Sequence, residues 1–485
     1  MAEQRSIKKN FLMNAILTMS SLIFPLITFP YVSRVLGPAG TGAVSFATSL
    51  VTYFMMISQL GIPTYGIRAC AQVREDKEEL SRTVQELVLI NLVMSAFMYV
   101  LLFLALAFVP RLQSDRVLYL VVSSMILLNA VGMEWLFKGL EQYTYITIRS
   151  VVFKFIALIA MFLLLHEKDD YVIYGGIAVF AAYASNLVNL IQARKYITMR
   201  PVGGYQFRRH FKAIGIFFAM ACATTIYTNL DVVMLGFMTT KVDTGYYDAA
   251  VKIKNILVSI VTSLGAVLLP RSSYYVEQGM MKEFREVSRK AIRFVFLFAL
   301  PLTVYFALFA EEGIYFLSGH QYGGSIHPMQ IIMPTLFFIG LSNILGMQIL
   351  VPTGKEKTVL YSEIAGAVTD LALNAILIPK LHASGAAIGT VVAEFVVLLW
   401  QYVALRDEVQ EMFRSIPYIP ILTALAASVA ASFWTKLLGL SPFITLVISA
   451  VLFFGIYALI LTLWKEPMTA EVEKQISQKL FRRKK

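Results

Sequence analysis

The sequence predicts an all-α polytopic membrane protein of about fourteen transmembrane helices, and three observations carry that prediction. Of its 485 residues, 58% are hydrophobic and only 15% charged, for a mean hydropathy of +0.69, whereas a soluble domain carries roughly 25% charged residues. Apolar runs of about twenty residues recur along the whole chain, the length of helix that crosses ~30 Å of hydrocarbon. The basic residues fall in alternate connections between those runs. Barrel strands are excluded, because the runs are too long and too continuously apolar for them.

Taken in order, spans are expected near 11–33, 42–63, 84–108, 117–137, 150–166, 172–193 and 213–237 in the first part of the chain. Seven more follow near 249–269, 294–318, 328–351, 359–379, 385–405, 416–435 and 442–464. The first run is too long for a signal-peptide core and no small-residue cleavage site closes it, so it reads as a retained span. Of the 42 Lys and Arg, 32 lie in the set of connections that includes both termini and only 7 in the opposite set. Under the positive-inside rule both termini are therefore expected in the cytoplasm.

That segregation also explains the net charge of +12 by orientation and attraction to anionic membrane lipids, with no nucleic-acid partner required. In the tail, Met468, Val472, Ile476 and Leu480 repeat among Lys474, Lys479 and Arg482, a short amphipathic helix for the inner leaflet. Cys70 and Cys222 are far apart and belong to no metal-binding spacing, so neither disulfide nor metal is expected.

The two halves echo each other weakly. Leu36-Gly37 followed by Gly42 leads from the first span to the second, and Leu235-Gly236 followed by Gly245 does so from the seventh to the eighth. Tyr174-Gly175-Gly176-Ile177-Ala178 opens the sixth span and Ser384-Gly385-Ala386-Ala387-Ile388 the twelfth. Six spans separate the copies, so the repeats are parallel, and such repeats place a transport site between two bundles. The expected organisation is a six-helix bundle over 1–200, a second over 201–410, helices 13 and 14 over 411–465, and a basic amphipathic cytoplasmic tail over 466–485.

The same segments resemble a known family. Tyr31-Val32-Ser33-Arg34-Val35-Leu36-Gly37-Pro38 is similar to the opening of Wzx-type polysaccharide flippases, members of the multidrug/oligosaccharidyl-lipid/polysaccharide exporter superfamily. The likeness continues through Glu134-Trp135, Gly139, Glu141, Arg149 and Lys154. It then takes in Asp231, Gly245-Tyr246-Tyr247, Lys252, Leu268-Leu269-Pro270-Arg271, Gly385-Ala386-Ala387 and Glu394. The resemblance implies two six-helix bundles working by alternating access, with an undecaprenyl-pyrophosphate oligosaccharide as cargo and a polysaccharide polymerase as a partner of the pathway. One departure is plain: lipid II flippases of this superfamily carry an Arg-Asp pair in the first span, where this chain reads Leu22-Ile23-Phe24-Pro25.

Ionisable groups inside spans are costly and usually face a cavity. Arg149, Lys154 and Lys252 are the candidates for the pyrophosphate, because guanidinium and ammonium groups match phosphate oxygens. Each has a structural alternative: Lys252 lies four residues from Asp248 and can pair with it, while Arg149 and Lys154 can snorkel to headgroups. Arg34 and Arg271, at span ends, are either further phosphate contacts or interfacial anchors. Asp231 and Glu394 are candidates for ion coupling, as are Glu363 and Asp370, seven residues apart on one helix face. No cofactor is expected; coupling to H+, to Na+ or to the membrane potential is left open by the sequence, and a monomer is expected. An alternative reading is a drug or organic-cation antiporter of the same superfamily. A membrane polymerase or acyltransferase fits less well, because the five histidines fall near span ends and join no catalytic pattern.

Overall fold

The computed structural model describes residues 7–467 and is helical throughout, with no strand among the described residues. The tail positions from Met468 onward lie outside them. In chain order the helices are α1 (Ile7–Gln59), α2 (Ile62–Gln72), α3 (Lys77–Phe108), α4 (Pro110–Gln113), α5 (Arg116–Gly132), α6 (Glu134–Gly139) and α7 (Tyr143–Leu164). There follow α8 (Tyr171–Val179), α9 (Asn186–Ala193), α10 (Arg208–Met238), α11 (Lys241–Glu277), α12 (Met281–Leu308) and α13 (Ala310–Ser318). The last are α14 (Ile326–Ile332), α15 (Pro334–Asn343), α16 (Glu356–Ala404), α17 (Arg406–Arg414), α18 (Tyr418–Phe433) and α19 (Pro442–Leu463).

All fourteen expected spans lie on helix, but among the described residues ten helices can cross a membrane by length and composition, or eleven with one bent pair. The difference arises largely where one continuous helix holds two expected spans. Drawn straight, the 53 residues of α1 would extend roughly 80 Å at 1.5 Å per residue, far more than the ~30 Å of hydrocarbon. Instead, Gly37 adopts φ 67°, ψ 179°, a conformation that glycine reaches without steric cost, and the chain reverses there.

The partners of each limb establish the reversal. Before Gly37, Met13, Ser20 and Tyr31 pair in rising order with Thr147, Lys154 and Leu165 of α7 and its end. Beyond Gly37, Phe46 and Met55 pair in rising order with Tyr119 and Asn129 of α5. Helix α8 returns from α7 over a short connection and runs alongside α5, with Tyr171 bonded to Asp115 and Asn189 to the Gly132 carbonyl. The two limbs of α1 are therefore antiparallel.

A similar reversal divides α16, where His382 takes φ 51°, ψ −129°. Gln401 donates to Ser362 at 3.1 Å across 39 residues of sequence, which a straight helix could not allow.

The chain divides into two compact units, Met1–Asp248 and Ala249–Lys485. Helix α10 thus belongs to the first unit, packed antiparallel to the second limb of α1, whose Phe46 and Tyr53, with Gly61 just beyond its end, meet Phe237, Ile226 and Phe217. The paired repeat glycines find their use here: a Cβ on Gly42 would overlap the Lys241 carbonyl oxygen, and one on Gly245 the Pro38 carbonyl oxygen. Each glycine faces the carbonyl four residues before the other, a close helix crossing that only small residues permit.

The connections of the first unit gather at two ends. Arg74 pairs with Glu141 at 3.1 Å, and Gln85 donates to the Thr198 and Arg200 carbonyls, so the connections rich in basic residues share one end, here called the inner end. At the other, outer end, Asp115, Tyr171 and Lys241 come together. Large apolar side chains between the ends, such as Val93, Phe97 and Phe155, stay exposed, as a lipid-facing exterior allows.

Candidate transport site

The intramembrane cations of the first unit are placed by a break in the helix before them. Met133 adopts φ 42°, ending α5, and Glu134 opens α6 one residue later. That turn aims Glu134 at α7, where it accepts from Arg149 at 3.0 Å, and it also accepts from Lys138 on its own helix at 2.8 Å. Arg149 is buried and also donates to the Ser185 carbonyl at 2.9 Å and the Asn186 side chain at 3.2 Å. Its guanidinium therefore braces α6, α7 and the start of α9 together. Lys154, five residues on, is half-buried, and its Nζ donates to Ser20 at 2.9 Å and Ser21 at 2.7 Å on the first limb of α1. An ammonium has three donors, so Lys154 retains one N–H for an anion on a half-buried group, whereas Arg149 is ion-paired to Glu134 and its unpartnered Nε is buried.

The other candidates divide between the two units. Arg34 is exposed and donates to the Pro30 carbonyl at 2.6 Å. Arg271 is exposed on α11, its guanidinium 5.4 Å from the Tyr275 ring centre. Lys252 lies half-buried on α11 in the second unit, while Asp248 accepts from Ser45 at 2.9 Å in the first. Asp231 is buried and accepts from the Tyr247 hydroxyl; Glu394 and Asp370 are buried in the second unit.

Glu363 and Asp370 do not line a common wall. Asp370 is 2% exposed, whereas Glu363 is exposed. The reason is the fold-back at His382: the second limb of α16 covers a stripe at four-residue spacing, Ser362, Gly366, Asp370, Asn374 and Ile378. Such a stripe winds around the helix, so it reaches the azimuth of Glu363 only two turns later.

Each end of the first unit carries a charged network that sequence reasoning did not assemble. At the inner end the fully buried Glu86 accepts from Arg209 at 2.7 Å, from His210 at 2.7 Å and from the Gln206 amide, and the Tyr65 hydroxyl meets the other His210 nitrogen at 2.7 Å. This ties the start of α10 to α3. At the outer end Asp115 pairs with Lys241 at 2.7 Å and accepts from Tyr171 at 3.0 Å, while Arg111 donates to the Gly236 and Thr239 carbonyls.

Burial pushes the Asp115 carboxyl up, but hydrogen bonds from Lys241, Ser114 and Tyr171 outweigh it and hold the group below the usual carboxylate range. A depressed value means the folded state binds the proton less tightly than the unfolded chain. The stabilisation is thus present above about pH 4 and lost as pH falls through the lowered value. Asp115→Asn is expected to lower the unfolding temperature at neutral pH, roughly 6–8, and to match the wild type only in acid below about pH 4, once the carboxyl is protonated; a pH series of thermal unfolding in detergent checks it.

With this geometry established, comparison with known proteins places the chain. The family model described as polysaccharide biosynthesis protein matches residues 7–276, more than half of the sequence. The chain belongs to the polysaccharide biosynthesis protein family. Within it, a provisionally assigned O-antigen transporter of Escherichia coli strain K12 is 23% identical over 394 residues, covering 81% of this chain and 95% of that one. A provisionally assigned O-antigen transporter of Shigella dysenteriae is 24% identical over 410 residues, covering 82% and 100%.

A MatE family model also matches residues 216–376. Among solved structures, the lipid II flippase MurJ in an inward closed conformation superposes with a TM-score of 0.73 at 15% identity, covering 94% of this chain and 99% of that chain. An inward-facing multidrug resistance MATE family transporter gives 0.64 at 14% identity, covering 84% and 99%. At such identities these structures establish a shared fold. This member of the polysaccharide biosynthesis protein family is therefore a multi-pass α-helical membrane protein of the superfamily that the sequence resembled, and its named relatives are transporters rather than enzymes.

Proposed function

We propose that the protein flips an undecaprenyl-pyrophosphate-linked oligosaccharide from the inner to the outer leaflet of a bacterial cytoplasmic membrane, by alternating access, for cell-surface polysaccharide synthesis. The family match supports the class of cargo. The observation that carries the reading within the molecule is Lys154, a cation about eleven residues into α7, half-buried and held by two serine hydroxyls with donor capacity left. Lys154 contacts the pyrophosphate, Arg149 positions α7 behind it, and Lys252, Arg34 and Arg271 are further stations for the phosphate charge.

Both termini lie in the cytoplasm in this reading, so the inner end of the first unit faces the cytoplasm. A headgroup with about two negative charges gains ~2.3 kcal/mol per charge per 100 mV when it crosses an inside-negative membrane outward. Export can run on that gradient, with H+ or Na+ coupling through Asp231, Asp370 or Glu394, with exposed Glu363 a weaker candidate. The transporter acts as a monomer and hands its product to a polysaccharide polymerase.

The MatE match over 216–376 favours one second reading, a cation antiporter. The two part in cells depleted of the protein. A flippase leaves intact lipid-linked oligosaccharide on the cytoplasmic leaflet and abolishes surface polysaccharide; an antiporter leaves the glycolipid unchanged and raises sensitivity to cationic drugs.

A further inference from the structure

Helix α10 has the smallest buried share of the long apolar helices, and burial along one of its faces follows a pattern. Positions at three- and four-residue spacing share a helix face. On one such face His210 and Ile214 are buried at the inner end, and Val232 and Leu235 are buried at the outer end. Thr224 and Thr228, between them on the same face, are exposed.

The contacts opposite that face agree with the pattern. Near the inner end Gly61 lies directly against the backbone of Phe217 and Phe218, and near the outer end Gly236 receives the Phe46 ring. Between these two points the Tyr53 hydroxyl donates to the Ile226 carbonyl at 3.3 Å. Helix α10 thus meets Gly61 closely near the inner end and the Phe46 ring near the outer end, while between them the Tyr53 side chain spans to its backbone and Thr224 and Thr228 stay uncovered, so α10 presents one wall of an open cleft.

The chemistry of that wall is polar. Thr224 donates to the Met220 carbonyl at 3.2 Å and Thr228 to the Thr224 carbonyl at 2.9 Å. Asn229 donates to the Thr225 carbonyl at 3.1 Å and to the Thr228 hydroxyl at 3.0 Å. With the hydroxyl protons committed to the helix, the threonine oxygens keep lone pairs as acceptors. Acyl chains offer such oxygens nothing, and polar groups within a span face a cavity. A ligand dense in hydroxyl donors fits them, and a bare pyrophosphate, which donates almost none, does not.

We infer that this cleft is the subsite for the sugars of the cargo and that Thr224 and Thr228, steadied by Asn229, are specificity-determining acceptors for glycan hydroxyls. The inference rests on the flippase reading and adds to it a division of labour: Lys154 takes the phosphate charge and α10 reads the glycan.

The test uses full-length protein in proteoliposomes. The probe is lipid-linked oligosaccharide extracted from cells depleted of the protein, and the competitor is sugar-free undecaprenyl pyrophosphate. In Thr224→Val/Thr228→Val, translocation of the glycolipid is expected to fall about tenfold, as loss of two hydrogen bonds to a ligand does. Inhibition of the remaining transport by the sugar-free competitor should stay within about twofold of wild type. Thr224→Ser/Thr228→Ser, which keeps both hydroxyls, should transport near the wild-type rate.

A valine variant with wild-type glycolipid transport overturns the subsite, and so does a serine variant as impaired as the valine one, which marks a packing role. Equal loss of glycolipid transport and competitor inhibition overturns it too, because phosphate handling is then what changed. Wild-type protein that moves no glycolipid overturns the flippase reading itself and the subsite with it.

Discussion

Lys154→Met should slow glycolipid transport about 50-fold while leaving the fold intact, since a charge-assisted hydrogen bond contributes about 1.5–3 kcal/mol. Methionine keeps the length and apolar stem of lysine, and the ammonium's two protein partners, Ser20 and Ser21, are hydroxyls on a half-exposed surface. Neither is stranded when the charge leaves, so stability should barely change. Lys154→Arg keeps the charge and should retain most transport. Initial rates in proteoliposomes, beside the elution profile and unfolding temperature of each variant, separate lost transport from lost protein. A Lys154→Met variant with full activity would remove Lys154 from the phosphate path.

The largest effect on stability is expected at Glu86. The carboxylate is fully buried and satisfies Arg209, His210 and the Gln206 amide together. Glu86→Ala takes the shared acceptor from all three groups, leaving Arg209 with Glu79 and Thr83 and His210 with Tyr65, and removing one partner of a buried ionic network costs about 3–5 kcal/mol. For a unit of this size that corresponds to a drop of about 10 °C in unfolding temperature. Glu86→Gln keeps one acceptor oxygen and should lose less. Because Arg209 also pairs with Glu79 and the network anchors the start of α10, the alanine variant should additionally expose the 198–207 connection to protease. Unchanged melting and proteolysis would show that α10 is held elsewhere.

Much of this architecture is legible in the sequence because lipid imposes a strict rule: each crossing must be a long apolar helix. The reversals are less legible. They hinge on single residues, Gly37 and His382, inside segments whose composition reads as continuous helix. The alternation of basic connections did anticipate which connections share an end of the first unit, since Arg74 meets Glu141 and Gln85 meets Thr198.

What escapes sequence reasoning is partnership. Arg149 stands out as a charge inside a span, but its pairing with Glu134 depends on the turn at Met133. Asp115 and Lys241 are 126 residues apart and meet only because α10 packs antiparallel to α1. The seven-residue spacing of Glu363 and Asp370 suggested a shared wall, whereas the winding of the covered stripe separates them. Thr224 and Thr228 drew no notice, because threonines that bond their own helix look unremarkable. A signal was available in Thr224-Thr225-Ile226-Tyr227-Thr228-Asn229, five polar residues of six in mid-span.

The central claim, that this protein carries a lipid-linked oligosaccharide across a bilayer, is tested most directly by the sidedness of that lipid in sealed proteoliposomes. The glycolipid is incorporated in both leaflets, and glycan on the outer face is followed with periodate, which does not cross the membrane. The account predicts that vesicles containing the protein lose protection of the inner-leaflet pool, with Lys154→Met restoring most of it. Equal protection with and without the purified, folded protein would contradict it.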